Sequence, residues 1–260
     1  MIRALYTSKT GMNGQQLQLD VIANNLANVN TGGFKKSTVQ FEDLYYQTLR
    51  SVGAETVDGG QVPTGIQVGL GVRPTAVQKI FTQGDFTETG NQLDWAIEGE
   101  GFFKILRDGT DYYTRAGAFK LDSDGYIVTS NGDRLQPEFS VPEETTEIAI
   151  DSGGLLTALD DQQQIIASTQ ITVTTFINPA GLKARGGNLF LPTEASGDPV
   201  DSDPGVDGAG TIAQYFLETS NVNVTEEMVN LIITQRAFES NSKGITTADQ
   251  LLEISNNLVR

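Results

Sequence analysis

Apolar residues recur at every seventh position near the C-terminus, and this spacing constrains the fold more than any other feature. A seven-residue repeat places such side chains on one face of a helix. Asn223 or Thr225 can cap its start, and Glu226 and Glu227 follow where the helix dipole favours negative charge. Because the companion positions half a heptad away are mostly polar, the stripe is narrow and is predicted to need a partner helix. The apolar row is Val224, Leu231, Phe238, Ile245, Leu252 and Val259, and the companion row is Met228, Gln235, Ser242, Asp249 and Asn256.

A second heptad row lies at the N-terminus and predicts another helix with a narrow apolar face. This helix is predicted to end near Asn30, because Gly32 and Gly33 can adopt the left-handed geometry that follows a helix C-terminus. The row consists of Leu5, Met12, Leu19 and Leu26, with Ile22 and Val29 in the partner row.

Between the two ends the apolar period changes to two, which is typical of strands. Asp-Gly and Asn-Gly pairs separate the candidate strands and indicate tight hairpin turns. The middle of the chain is therefore predicted to be antiparallel and rich in hairpins. The candidate strands lie at 66–72, 93–97, 102–106, 126–129, 147–150 and 170–177, and the turn pairs are Asp108-Gly109, Asp124-Gly125 and Asn131-Gly132.

Two polar segments fit neither pattern. Residues 51–65 contain four glycines and a proline, and we interpret them as an extended excursion or a long hairpin tip. Residues 194–210 are rich in aspartate and glycine and are predicted to form a solvated acidic loop.

The composition excludes several classes of chemistry. The chain has no histidine and no cysteine, so it cannot build a Ser-His-Asp triad, a thiol nucleophile or a thiolate metal site. Its formal net charge of −16 argues against binding nucleic acid or an anionic membrane, since both need cations to neutralise phosphate. No uninterrupted apolar run follows the N-terminus, so neither a cleaved signal peptide nor a membrane span is predicted.

Three local patterns allow a chemical and a structural interpretation. Asp122-Ser-Asp124-Gly125 resembles the start of a calcium loop but lacks its later ligands, so a hairpin turn is favoured. Gly99-Glu-Gly101 lacks the third glycine of a nucleotide fingerprint, which favours close backbone approach within a sheet. The acidic pairs Asp160-Asp161 and Glu143-Glu144 leave a glycan hydrolase as a distant alternative.

Asparagine is frequent in both predicted helices, although it is a poor helix former. Asn30 and Asn223 are explained as caps. For asparagines inside the helices, such as Asn25, Asn28 and Asn241, we predict side-chain hydrogen bonds to neighbouring chains that fix the register of a bundle.

Four stretches of the sequence carry a family resemblance that covers essentially the whole chain. Residues 22–35 (IANNLANVNTGGFK) and 220–243 (SNVNVTEEMVNLIITQRAFESNSK) resemble the two terminal signatures of the bacterial flagellar rod and hook family. Residues 96–104 and 113–119 are similar to its β-domain motif. The path from Tyr46 through the polar excursion to Pro74 looks most like that of subunits of the distal rod. The acidic segment 194–210 matches least well.

The resemblance implies an α+β fold with paired, coiled-coil-like terminal helices, an extended connector with a long hairpin, and an antiparallel β-domain. It divides the chain into three regions. The inner helical region is 1–32 and 224–260. The connector is 33–95 and 192–223, with the excursion near 46–65. The outer β-domain is 96–191.

The resemblance also implies a structural role without catalysis, cofactor or metal. The expected role is that of a distal-rod subunit that polymerises into a rigid helical tube and transmits torque from motor to hook. A proximal rod or hook subunit is the alternative. The implied location is the flagellar basal body, where the rod crosses the periplasm after export without a cleaved signal. Implied partners are other copies of the chain, proximal rod proteins, the hook protein, the peptidoglycan and outer-membrane ring proteins, and the flagellar type III export apparatus, with no nucleic acid and no small-molecule substrate.

Two sets of residues are predicted to lie between subunits, because a thin apolar stripe stays unsatisfied until assembly covers it. The terminal helices are accordingly expected to be poorly ordered in the free subunit and to order on polymerisation. The assembly set is Leu5, Met12, Leu19, Ile22, Asn25, Leu26, Asn28, Val224, Met228, Leu231, Gln235, Arg236, Phe238, Asn241, Ile245 and Leu252. The set around the excursion is Tyr46, Leu49, Arg50, Pro63 and Ile66.

Overall fold

The computed structural model describes residues 2–50 and 64–258, and the chain forms two compact units. The first, the helical unit, consists of Met1–Leu26, Ser37–Gln78 and Asn223–Arg260. The second, the β-rich unit, consists of Ala27–Lys36 and Lys79–Val222. Most of the predicted excursion, including Pro63, and the last heptad residue, Val259, lie outside the described residues. The division into three regions stays a prediction.

The two predicted terminal helices are present as α1 (Ile2–Ala27) and α2 (Val224–Leu258). Asn223 caps α2 as predicted, because its Oδ1 accepts hydrogen bonds from the backbone N–H groups of Thr225 (3.0 Å) and Glu226 (3.2 Å). The predicted end of α1 was wrong in its mechanism. Gly33 does have a positive φ of 69°, but a turn separates it from the end of α1 at Ala27, so it is not the capping residue.

Four strands complete the helical unit: β1 (Ser37–Asp43), β2 (Tyr46–Arg50), β3 (Ile66–Gly69) and β4 (Val72–Lys79). β1 pairs with β4, and β2 pairs antiparallel with β3 from Tyr46↔Gly69 to Arg50↔Ile66. This pairing brings together the two flanks of the predicted excursion. The alternation over 66–72 predicts one strand, but Gly71, with a φ of 126°, divides it into β3 and β4.

A face of α1 packs against these strands through small residues. A Cβ on Gly14 would lie 2.9 Å from a ring carbon of Phe41, on β1. A Cβ on Gly71 would lie 2.2 Å from the Thr10 hydroxyl oxygen, which also accepts a 3.4 Å hydrogen bond from the N–H of Val72. A side chain at Gly14 would therefore displace the Phe41 ring, and one at Gly71 would displace the Thr10 hydroxyl and also require a φ that other residues rarely adopt.

The β-rich unit is mostly antiparallel, as predicted. Its strands are β5 (Phe86–Glu88), β6 (Trp95–Glu98), β7 (Phe103–Arg107), β8 (Thr110–Thr114), β9 (Phe119–Leu121), β10 (Ile127–Thr129), β11 (Arg134–Leu135), β12 (Glu147–Ile150), β13 (Leu155–Leu159), β14 (Ile165–Gln170), β15 (Val173–Thr175), β16 (Lys183–Gly186), β17 (Leu189–Leu191), β18 (Val200–Ser202), β19 (Thr211–Gln214) and β20 (Phe216–Glu218). A seven-stranded antiparallel sheet has the order β16-β17-β8-β7-β11-β10-β9, and a three-stranded sheet has the order β12-β13-β14. Two-stranded ladders are formed by β15-β18, β19-β6 and β20-β5.

The predicted turn pairs connect adjacent strands of the large sheet. Asp108 and Gly109 have φ values of 51° and 74° between β7 and β8, as a tight hairpin turn requires. Gly125 closes the turn from β9 to β10, which confirms the hairpin interpretation of the Asp-Ser-Asp-Gly motif. The Asn131-Gly132 pair lies between β10 and β11.

The close backbone approach predicted for this motif is confirmed at Gly99, whereas the close neighbour of Gly101 is a side chain. A Cβ on Gly99 would lie 2.9 Å from the Gly210 Cα, and one on Gly101 would lie 2.0 Å from a Val173 methyl carbon. Both glycines also have positive φ values. This motif is therefore explained by packing.

Two predictions for the middle of the chain were wrong in detail. Residues 170–177 do not form one strand, because the chain changes partner here: Ile171, fully buried, donates its N–H to Gly154 O in register with the pairing of β13 and β14, whereas β15 pairs with β18. The acidic segment contains β18, which pairs with β15, so part of it belongs to the fold. Asp201 within β18 accepts a 2.5 Å hydrogen bond from the Thr174 hydroxyl. A polar sequence does not prevent an exposed strand from pairing with a buried one.

The larger of two hydrophobic clusters forms the main core of the β-rich unit. It is built on Trp95, Phe103 and Phe119, whose rings meet at centroid distances of 5.2 and 5.3 Å. A second cluster contains Phe102, Tyr113, Phe176 and Phe190, which meet mainly edge to face. Neither described helix has an apolar stretch long enough to cross a membrane.

Candidate assembly surface and its supporting contacts

The two helices of the helical unit contact each other in antiparallel orientation. The Asn241 amide on α2 donates a 3.0 Å hydrogen bond to Gln15 Oε1 on α1. A Cβ on Gly11 would lie 3.0 Å from the same Asn241 amide nitrogen, and one on Gly244 would lie 3.4 Å from the Ser8 hydroxyl. The predicted pairing of the terminal helices is therefore present within one chain, through small and polar residues at these points.

Most of the buried and half-buried residues of α2 form two rows, and successive residues within each row are seven positions apart. The predicted apolar row is half-buried at Leu231, Phe238, Ile245 and Leu252. The second buried row begins one residue earlier than the predicted companion row: it contains Glu227, Thr234 and Ala248, each at most 6% exposed, and the half-buried Asn241. Met228 and Gln235, from the predicted companion row, are exposed.

Exposed apolar side chains occupy another face of α2. Met228, Val229, Ile232 and Ile233 are between 50% and 60% exposed, and Val224 at the helix start is 41% exposed. Because residues four apart lie one turn apart, the first four form one patch. We call these five residues the apolar patch of α2. A contiguous exposed apolar patch is typical of a surface that another protein covers.

A polar contact fixes the start of α2 to the end of α1. The side-chain amide of Asn25, which is 2% exposed, donates to Ser37 O (2.8 Å) and accepts from Ser37 N (2.9 Å). It thus pairs with both backbone groups of Ser37. Its amide also lies 3.3 Å from Glu227 Oε2, and Glu227 is 5% exposed. Asn25 and Asn241 therefore use their amides within their own chain.

The remaining predicted interface residues divide by exposure. Ile22 is 5% exposed and Arg236 is exposed. The other α1 positions are half-buried, namely Leu5, Met12, Leu19 and Leu26, and so is Asn28 in the turn after α1. Around the excursion, Tyr46, Leu49, Arg50 and Ile66 are exposed on the β2–β3 hairpin. A hydrogen bond to Asp43 raises the pKa of the Tyr46 phenol.

The β-rich unit contains a cluster of buried charges that sequence reasoning missed. Lys35 and Glu218 are fully buried, with the Lys35 ammonium 2.6 Å from Glu218 Oε1. Arg115, 3% exposed, lies 3.6 Å from Glu218 Oε2. Burial lowers the pKa of Lys35, an effect that the Glu218 carboxylate opposes, and burial also lowers the pKa of Arg115. Lys35 and Arg115 each lie in a family-like string, but no sequence spacing pairs them with Glu218.

Three segments of the chain match known protein families. Residues 5–35 match the family described as flagella basal body rod protein, and residues 213–258 match the C-terminal family of the flagellar basal body rod proteins FlgE, FlgF and FlgG. Residues 96–158 match the D1 domain family of the flagellar hook proteins FlgE, FlgF and FlgG.

Individual relatives match over nearly the whole length. The flagellar basal-body rod protein FlgG of Borreliella burgdorferi is 48% identical over 264 residues, covering 100% of both chains. FlgG of Buchnera aphidicola subsp. Schizaphis graminum is 46% identical over 97% of this chain and 98% of its own, and FlgG of Bacillus subtilis is 40% identical over 100% of both. The hook protein FlgE of Borreliella burgdorferi is 44% identical over only 52% of this chain and 31% of its own. The chain belongs to the family of flagellar basal-body rod proteins.

Proposed function

We propose that this structural subunit polymerises into the distal part of the flagellar rod, a rigid helical tube that transmits torque from motor to hook. The observation that carries the proposal is the apolar patch of α2, in a chain whose full-length relatives are rod proteins. Within one subunit this patch is exposed, and covering it with another copy removes apolar surface from water. Head-to-tail contacts that do not close on themselves generate filaments of this kind.

The proposed setting follows from the same family. The rod would cross the periplasm of the basal body, follow the proximal rod proteins, precede the hook protein and pass through the peptidoglycan and outer-membrane rings. The subunit would reach this position through the flagellar type III export apparatus. A proximal rod or hook subunit remains the alternative, and the partial match of the hook protein favours it less than the full-length matches favour the rod.

A variant of the apolar patch tests assembly without disturbing the subunit. Ile232 is 50% exposed, so Ile232→Lys places a charge on the patch. The substitution leaves the intrinsic helix propensity of α2 nearly unchanged. We expect this variant to remain folded by circular dichroism and to form no filaments in electron micrographs. Gln250→Lys, at another exposed position of α2, is the matched control and should polymerise like the parent chain.

The outcome distinguishes the competing functions. If Ile232→Lys forms normal filaments, the apolar patch is not an assembly surface. If neutralising Asp160 and Asp161 abolished cleavage of a glycan while filaments still formed, the hydrolase alternative would be correct.

A further inference from the structure

The buried charges of the β-rich unit join three distant parts of the chain. Lys35 lies before the first strand, Arg115 follows β8, and Glu218 ends β20. Glu218 Oε1 accepts from the Lys35 ammonium at 2.6 Å and from the Gly84 N–H at 2.9 Å. Arg115 donates to Gly99 O at 2.7 Å, and its guanidinium carbon lies 5.4 Å from the centre of the Phe102 ring. We call Lys35, Arg115 and Glu218 the charge clasp.

The charge clasp contains two cations and one anion. Within the described residues, Glu218 is the one carboxylate in ion-pair distance of either cation. The Lys79 ammonium lies nearby, 3.3 Å from Lys35 O, and Glu100, whose charge also acts on Arg115, is exposed. A buried charge without a partner is strongly destabilising. Loss of Glu218 would therefore leave two buried cations, whereas loss of either cation would leave a neutral pair.

Backbone groups around the clasp make this asymmetry sharper. If Lys35 lost its ammonium, Glu218 Oε1 would keep the Gly84 N–H, and Thr82 O, which accepts from Lys35 at 2.9 Å, would keep the Asn221 amide at 3.1 Å. Both acceptors of the Lys35 ammonium would then keep another donor, and Glu218 Oε2, which is buried without a hydrogen-bond donor, would keep the Arg115 guanidinium at 3.6 Å. If Glu218 lost its charge, Lys35 and Arg115 would keep the backbone acceptors Thr82 O and Gly99 O, but no carboxylate would balance the two buried cations.

We propose that the charge clasp closes the β-rich unit, and that Glu218 is its last and decisive part. Lys35 and Glu218 are 183 residues apart, so their contact closes a very long loop. Synthesis proceeds from the N-terminus, so both cations are present before Glu218 is. The β-rich unit therefore stays open until the C-terminal segment delivers this carboxylate. The proposal is independent of the function proposed above.

Denaturant unfolding of the full-length chain tests the asymmetry. Trp95 is the single tryptophan and is fully buried in this unit, so its fluorescence reports on closure. Glu218→Gln should lower the folding equilibrium constant on the order of 100-fold, and Lys35→Met clearly less. The double variant Lys35→Met/Glu218→Gln should regain about tenfold over Glu218→Gln, because one buried cation is gone. Glu138→Gln, in the exposed pair with Arg134, is the control and should change little.

The rescue is the decisive result, since loss of packing alone would make the double variant worse than either single one. Equal losses for Glu218→Gln and Lys35→Met, or no rescue, would overturn the proposal. If Glu218→Gln gives no folded protein, recovery of folded protein in the double variant supports the clasp, and failure of both overturns it.

Refolding kinetics test the order of closure. If Glu218 joins last, Glu218→Gln should raise the unfolding rate and leave the refolding rate within about twofold of the parent. Refolding slowed by the full loss in stability would mean that the contact forms early, and would overturn the claim that Glu218 comes last.

Discussion

Gly117 is a residue that the fold requires to have no side chain. A Cβ at this position would lie 1.6 Å from the Trp95 carbonyl oxygen, which belongs to backbone and cannot rotate away. Gly117 O also accepts a 3.0 Å hydrogen bond from the Trp95 N–H, so the two backbones are held together. The sequence shows a glycine here but not the strand that it meets.

We expect Gly117→Ala to lower the free energy of unfolding by about 2–4 kcal/mol, because the backbones must separate. Gly153→Ala is the matched control, since its Cβ would meet nothing closer than 3.8 Å, and we expect a change of about 0.5 kcal/mol or less. Urea unfolding followed by Trp95 fluorescence measures both. Equal stability of the two variants would contradict this account.

Single residues were predictable where their effect is local. The Asn223 cap and the Asp108-Gly109 turn depend on a few adjacent residues, so the sequence is sufficient to predict them. The pairing of Lys35 with Glu218 depends on how distant segments meet, and a lysine or a glutamate alone is usually an exposed residue.

At the scale of elements, α2 shows why periodicity predicted the helix but not all of its buried side. The row of Glu227, Thr234 and Asn241 is polar, so hydrophobic spacing gives no signal for it. Glu227 and Asn241 are covered because Glu227 meets Asn25 and Asn241 meets Gln15. The burial of a heptad row made of polar and small residues can be recognised only when the partner helix is known.

The cap of α2 offers a test at this scale. Asn223→Ala removes the acceptor for the N–H groups of Thr225 and Glu226, and we expect a loss of about 1 kcal/mol in the free energy of unfolding. Asn223→Asp should retain most of the stability, because aspartate caps equally well. Asn256→Ala, near the exposed end of the same helix, should leave stability unchanged or slightly higher. Thermal unfolding by circular dichroism compares the three, and an unaffected Asn223→Ala variant would argue against the cap.

At the scale of the whole molecule, we predict that the helices gain order on polymerisation. The apolar patch of α2 is exposed in one subunit, and helix stability comes largely from packing of such faces. Circular dichroism of the free subunit should therefore show less helix than that of the filament, and protease should cut the termini first. A free subunit that is fully helical and protease-resistant would refute this prediction.

The excursion gives a second prediction for the assembled molecule. β2 and β3 bring its flanks together, and the exposed Tyr46, Leu49 and Ile66 lie on that hairpin. We predict that residues 51–65 reach between subunits and stiffen the tube. Deleting them should give filaments that bend more easily, measured as a shorter persistence length in micrographs. An unchanged persistence length would count against this role.

The path of the chain through its two units has a consequence for how the gene can change. Residues 79–222 form one continuous run of the β-rich unit, while both chain ends belong to the helical unit. Within the β-rich unit, Asn221 holds the two ends of this run together, since its amide donates to Ile80 O at 2.9 Å. A stretch whose two ends are held together can be lengthened or shortened between them without rerouting the rest of the chain. Because Lys35 lies outside this stretch and pairs with Glu218 inside it, changes to the insert have to retain Glu218, so the gene can vary between the two ends but not freely at them.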